Sequence, residues 1–212
     1  MITVWGRITS ANVQAVMWAL AELGVESKRI DTGGAFGGTD TPEYLAMNPN
    51  KLVPTIQDGD LTMWESAAIV RYLGATYGDD GFWPSDPVAR ARIDQWAEWA
   101  KTSFAPTLLG GIFLPLVATR EENRDAKAVA AAVTRMQGLA RIVDARLARS
   151  PFLGGERLAF GDCIFGTLLY RYFTVDFERA DTPHLQAYYD RLRSRPAYER
   201  SAMISYESLR AK

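Results

Sequence analysis

Asn48-Pro49-Asn50-Lys51-Leu52-Val53-Pro54-Thr55-Ile56-Gln57-Asp58-Gly59-Asp60-Leu61-Thr62-Met63-Trp64-Glu65-Ser66 carries two short apolar runs around a turn and closes on a helix start. Val53–Ile56 and Leu61–Trp64 read as strands. Asp58-Gly59 between them is a two-residue hairpin signal, so the pair is expected to be antiparallel. Glu65 or Ser66 then opens a helix that carries Ala67, Ile69, Val70, Leu73 and Tyr77. Toward the N-terminus, Thr41 caps a short helix with Pro42 at its first position, running to about Met47. Asp31–Asp40 before it holds Gly33, Gly34, Gly37 and Gly38 but lacks the lysine of a phosphate-cradling loop, and reads as a surface loop. The opening is strand (Ile2–Trp5), helix (from Asn12, stopped by Gly24) and strand (Val25–Ile30). A crossover of that kind favours a parallel pair with the helix on one face.

Downstream, Gly78 to Pro87 is turn-rich, with Trp83-Pro84 and Asp86-Pro87. The expected division is a βαβ-then-ββα domain over 1–80, a linker over 81–87 and an all-helical domain over 88–212. Ile93, Trp96, Trp99 and Ala100 form one helical stripe, interrupted near Pro106 and Pro115. Val129, Val133, Met136, Leu139, Val143 and Leu147 form another. Phe160–Phe173 is nearly all apolar and reads as one helix buried on every side. Leu185, Tyr188, Tyr189 and Leu192 make an amphipathic helix ended by Pro196.

Composition sets outer bounds. The 212 residues are 48% hydrophobic and 23% charged, which fits a globular chain with a real core and excludes a disordered or fibrous one. Lys and Arg number 24 against 25 Asp and Glu, a formal charge of -1, so nothing electrostatic points to nucleic acid or an anionic membrane. The single cysteine, Cys163, cannot pair within the chain, and the single histidine, His184, cannot build a His-based zinc site. No apolar stretch approaches the roughly 18 residues of a membrane helix, and none near Met1 resembles a signal peptide. A cytoplasmic, metal-free protein is expected.

The ordered series Asn48 to Ile56, Asp58-Gly59, Leu61, Glu65-Ser66, Ala68-Ile69 and Tyr72-Leu73, set between a strand-helix-strand opening and a helical second half, resembles the glutathione transferase family. The resemblance covers essentially the whole chain. It implies a thioredoxin-like N-terminal domain, an all-helical C-terminal domain and a homodimer. In the family the proline after the valine is cis, and Pro54 takes that position; the turn leaves the valine main chain free to pair with an extended peptide such as glutathione. The resemblance therefore assigns Lys51, Leu52, Val53, Pro54, Glu65 and Ser66 to glutathione binding. Lys51 lies near the glycine carboxylate, and Glu65 and Ser66 hold the γ-glutamyl end. A helix start with free N–H groups suits that carboxylate, Ser66 can donate its hydroxyl to it, and Glu65 can pair with the α-amino group.

Family members place the group that activates the thiol just after the first strand, where this chain reads Arg7-Ile8-Thr9-Ser10-Ala11-Asn12-Val13. Without a Tyr or Cys there, Ser10 falls on the serine of the serine-type classes and Asn12 on the asparagine of a bacterial asparagine-type class. Thr9 substitutes for either by a one-residue slip. A thiol of pKa near 8.5 is only about 3% ionised at pH 7, against about 75% at pKa 6.5, a difference of roughly 2.7 kcal/mol. One charge-assisted hydrogen bond of about 1.5–3 kcal/mol and a helix N-terminus together cover that amount. Trp99, Phe104, Leu108, Phe113 and Tyr170 are the expected lining of a pocket for a small hydrophobic electrophile. Glutathione-dependent disulfide or peroxide reduction is the enzymatic alternative, and a non-catalytic binding module is the alternative of another class. One departure from the family stands out. Ala159 occupies the place of the usual Ser or Thr three residues before Asp162, so the buried helix loses a cap worth about 1 kcal/mol.

Overall fold

Four short strands form one sheet in the computed structural model, which describes residues 1–211. They are β1 (Ile2–Trp5), β2 (Ser27–Ile30), β3 (Thr55–Asp58) and β4 (Leu61–Trp64), in the order β2-β1-β3-β4. β1 runs parallel to β2, pairing Ile2 with Ser27, and antiparallel to β3, pairing Val4 with Ile56. The hairpin places Thr55 opposite Trp64 and Asp58 opposite Leu61, with Gly59 at φ 56 in the turn. Two strands start later than their apolar runs, for local reasons. Val25 still belongs to the helix ending before it, donating its N–H to the Leu20 carbonyl at 3.0 Å around Gly24 at φ 66. Pro54 has no N–H to give a ladder.

The sheet carries α1 (Ala11–Glu22), α2 (Pro42–Met47) and α3 (Ser66–Tyr77). Thr41 caps α2, its hydroxyl accepting the Tyr44 N–H at 3.3 Å. The helical half holds α4 (Pro87–Trp99), α5 (Ala126–Leu147), α6 (Phe160–Gly166), α7 (Leu169–Thr174), α8 (Pro183–Arg193) and α9 (Pro196–Ala202). α1 packs against α3 on one side and against α6 and α9 on the other, so Trp18 at its centre is fully buried between the two halves.

Three sequence expectations are corrected. α4 does not stop at the prolines but continues in wider, π-type turns over Ala100–Phe104 and Pro106–Ala118. Widening the turn is one way to accommodate a proline, which lacks an N–H and crowds the carbonyl four residues before it. By length and composition Pro87–Ala118 would suffice to cross a membrane, yet Ile93, Ala97, Phe104, Leu108, Ile112 and Phe113 are core. Phe160–Phe173 is two helices, broken after Gly166, where Thr167 turns its hydroxyl back onto the Cys163 carbonyl at 2.7 Å. A Cβ on Gly166 would lie 2.6 Å from the end of the Leu192 side chain and 3.0 Å from the Trp18 ring, so a larger residue there would have to displace them. Finally, Pro196 begins α9 as well as following α8.

Ala159 supplies no acceptor at the start of α6, but Asp162 keeps the other half of the cap. Its carboxylate accepts the N–H of Ala159 at 2.9 Å, the N–H of Leu153 at 2.9 Å and the Tyr188 hydroxyl at 2.8 Å. Burial pushes its pKa from 3.8 up to about 6, against the opposing pull of those hydrogen bonds. Asp162→Ala should lower the unfolding free energy by about 2–4 kcal/mol, since it orphans three donors. Because the folded pKa lies above the unfolded one, the contribution of Asp162 is full below about pH 4 and declines as pH rises through about 6. Denaturant unfolding should therefore show a larger destabilisation by the substitution at pH 4 than at pH 7; the reverse order would contradict this assignment.

Candidate active site

The loop between α2 and β3 is fixed from beneath by a buried polar network. The Tyr44 hydroxyl and the Asn48 amide both donate to the Leu52 carbonyl, at 2.6 and 2.8 Å. Both also reach the buried Thr55 hydroxyl, at 2.9 and 3.1 Å, and the Asn48 oxygen accepts the Asn50 N–H at 3.0 Å. Burial raises the Tyr44 pKa, so it stays a neutral donor. Lys51 above this network is held at φ 58, and the Val53–Pro54 peptide bond is cis. Among the described residues neither the N–H nor the C=O of Val53 has a hydrogen-bond partner. A residue with both main-chain groups free beside a sheet is a place where an extended peptide can add.

Val53, Leu52 and Lys51 line one wall of a cavity of about 410 Å³; Arg7, Ser10, Asn12, Gly33, Gly34 and Thr39 line the rest. That volume falls within the usual range for small-molecule sites. The glycine loop, expected to be plain surface, is part of this wall. Gly33 and Gly34 sit at φ 79 and 60, and a Cβ on Gly34 would stand 3.0 Å from the Arg7 side chain. Glycine there lets Arg7 lie against the loop. A larger cleft of about 470 Å³ opens beside Glu22, Asp79, Glu156, Arg157 and Arg195, where Glu22 pairs with Arg195 and Asp79 with Arg157.

Ser10 is the residue before α1. Its backbone caps the helix, the carbonyl accepting the Gln14 N–H at 2.9 Å, while its side chain makes no capping bond. The turn under it is held from the helical half. Arg171 on α7, 1% exposed, donates to the Thr9 carbonyl at 2.8 Å and to the Gln14 oxygen at 2.7 Å, and Gln14 in turn donates to the Ile8 carbonyl at 2.8 Å. Among the described residues no carboxylate pairs with Arg171, and burial pulls its pKa down to about 10, which leaves it charged at neutral pH.

Asn12, Ser66 and Lys101 meet at the other side of the turn. Ser66 starts α3 and is 4% exposed; its hydroxyl donates to the Asn12 oxygen at 3.2 Å. Lys101, on the continuation of α4, donates to the same Asn12 oxygen at 2.9 Å and to the Ser66 hydroxyl at 3.2 Å. Burial draws the Lys101 pKa below its ordinary value, with attraction from Glu65 and Glu98 acting against it. Glu65 itself is held at φ 72, a left-handed conformation that costs a non-glycine residue of order 1 kcal/mol. Lys51 and Glu65 are the two non-glycine residues with positive φ among the described residues.

Of the expected glutathione and catalytic residues, Ser10, Asn12, Lys51, Leu52 and Val53 line this cavity and Ser66 bonds to Asn12, while Pro54 and Glu65 are chain neighbours outside the lining. The apolar set is divided. Phe104 and Leu108 are fully buried, and Phe104 packs on Trp99, Phe165 and Tyr172. Phe113, 3% exposed, lies under the Arg171 guanidinium. Trp99 and Tyr170 keep part of their surface exposed. Sequence reading missed Arg7, Gly33, Gly34, Lys101 and Arg171, none of which carries a local motif. Cys163 is fully buried, its thiol pKa pushed well up by burial. Among the described residues no group of three or more His, Cys, Asp or Glu side chains could hold a metal ion.

Residues 1–75 match the family model for the glutathione S-transferase N-terminal domain, and residues 104–196 the model for its C-terminal domain. The chain is 38% identical to glutathione S-transferase GstB of Escherichia coli (strain K12) over 206 residues, 96% of this chain and 99% of the relative. Its structure is similar to that of the theta class glutathione S-transferase of Xanthomonas axonopodis pv. citri with glutathione bound, at a TM-score of 0.92 and 47% identity, covering 96% of this chain and 98% of the other. It also resembles glutathione transferase F2 of Populus trichocarpa, at a TM-score of 0.80 and 26% identity over 95% and 97% of the two chains. The chain belongs to the glutathione S-transferase family.

Arg171→Met removes the donors that hold the Thr9 carbonyl and Gln14 and leaves both buried acceptors unpaired. It should cost about 2–4 kcal/mol in denaturant unfolding, and a loss below about 1 kcal/mol would show that this contact does not hold the turn.

Proposed function

We propose that this chain binds glutathione as an extended strand along Lys51–Val53 and ionises its thiol beside Ser10. The thiolate then attacks a small hydrophobic electrophile. The observation that carries this reading is the unpaired main chain of Val53, which shares one cavity with the free hydroxyl of Ser10. The cysteinyl main chain pairs with Val53, the γ-glutamyl end reaches Glu65 and Ser66, and the glycine carboxylate lies toward Lys51. Pro54 shapes the turn, and Leu52 borders the peptide. Ser10 supports the thiolate because its hydroxyl is not spent on the helix cap, and the start of α1 adds the favourable field of a helix N-terminus. The Asn12 oxygen accepts from Ser66 and Lys101, which fixes the amide and makes its Nδ2 the alternative donor to sulfur.

In the reaction the thiol loses its proton to solvent and the sulfur lone pair forms a bond to an electrophilic carbon. The displaced electron pair leaves with a halide, or reaches a conjugated double bond that is then protonated. No protein base is needed once the thiol pKa is lowered. Trp99 and Tyr170, the two expected pocket residues with appreciable exposed surface, border the electrophile. The working unit is a homodimer, in a cytoplasmic setting where glutathione is present as the free thiol.

Glu65→Ala combined with Ser66→Ala should abolish retention on immobilised glutathione, and unchanged retention would defeat the binding assignment. Ser10→Ala should cut kcat about 10- to 100-fold, consistent with loss of one charge-assisted hydrogen bond, and move the pH–rate profile upward with little change in KM. If only Asn12→Ala moves the profile, the thiol meets Asn12 instead. Gel filtration should report about twice the mass of the single chain.

A further inference from the structure

We infer that Lys101 is a specificity-determining residue, delivered from the helical half, that serves as the counter-ion for the α-carboxylate of the γ-glutamyl residue. The inference rests on the glutathione reading above. Lys101 is a half-buried ammonium whose two partners, the Asn12 oxygen and the Ser66 hydroxyl, are both neutral. Among the described residues it forms no ion pair. The two carboxylates nearest along its own helix, Asp94 and Glu98, are taken by Arg71. Glu65 attracts it without bonding to it. A half-buried cation held only by neutral oxygens has lost part of its hydration without gaining an anion, and a ligand carboxylate would complete it.

The geometry selects which carboxylate. Lys101 and Ser66 both meet Asn12, which lines the cavity, and Ser66 opens α3, whose free N–H groups favour negative charge at that point. Lys51 borders the same cavity through a different segment, the loop before β3, and Arg7 through the turn after β1. A carboxylate at Ser66 would accept from the hydroxyl, from the start of α3 and from the ammonium, replacing the neutral Asn12 oxygen with a charged partner. Glu65 would then be free to pair with the neighbouring α-amino group. The contact would read the α-amino acid end of the peptide from both halves of the chain.

The test is calorimetric titration of two ligands into the wild type and Lys101→Met. One ligand is glutathione; the other is 4-aminobutanoyl-cysteinyl-glycine, the same tripeptide without the γ-glutamyl α-carboxylate. Wild type should bind glutathione about 10- to 100-fold more tightly than the analogue, and Lys101→Met should lose most of that preference. The analogue should bind both proteins within about threefold of each other, and Lys101→Arg should recover part of the affinity for glutathione. If Lys101→Met binds glutathione as tightly as wild type, or loses both ligands alike with its thermal unfolding unchanged, the assignment of Lys101 is wrong while the glutathione reading stands. If wild type binds neither ligand, the glutathione reading fails and this one with it.

Discussion

Arg171 reaches from the helical half into the other half and donates to the carbonyl of Thr9 and the side chain of Gln14, with almost no exposure to water. A buried guanidinium without a carboxylate is costly unless its donors are used. Here they are used on the turn that carries Ser10. The helical half does more than cover the sheet: it sets the position of the first turn of α1, and through Gln14 and Ile8 it ties down the segment leaving β1. Trp18 on the same helix packs edge-on against Tyr198 of α9 and donates to Glu22, which is itself paired with Arg195. The two halves are therefore joined along the whole of α1.

The site inherits its chemistry from that junction. The sheet side brings two left-handed residues, a free main chain at Val53 and two helix starts. The helical side brings Lys101 and Arg171. Arg7 and Lys51 are the charged residues that line the cavity, so its wall is positive although the chain as a whole is close to neutral. Such a local field favours a carboxylate-bearing peptide and its thiolate over neutral ligands, and overall charge says nothing about it.

Much of this was legible in the residues because the signals were local. Asp58-Gly59 specifies the hairpin and Thr41-Pro42 the start of α2. The series from Asn48 to Ser66 carries the family pattern that the matched domains bear out. What escaped was non-local or depended on competition between local rules. Pro106 and Pro115 read as breaks, yet a helix with enough apolar contact on both sides runs through them in wider turns. The glycine loop read as plain surface because nothing in its own sequence shows that Arg7 lies against it. Lys101 and Arg171 meet the site only after the helices fold back, and an isolated lysine or arginine on a helix has no distinguishing pattern in one dimension. Asn48 belonged to the motif, but its task of holding the Leu52 carbonyl emerges only when Tyr44 and Thr55 stand beside it.

The central chemical act of this cleft is to turn a bound thiol into a thiolate. The direct measurement is the ultraviolet absorbance of the glutathione thiolate, followed as pH is raised, for free glutathione and for glutathione saturated with the protein. The bound thiol should show an apparent pKa about two units below that of the free one, the shift that one charge-assisted hydrogen bond and a helix N-terminus can supply. Saturated binding with an unshifted thiol would contradict it and leave a peptide-binding protein without the activating step.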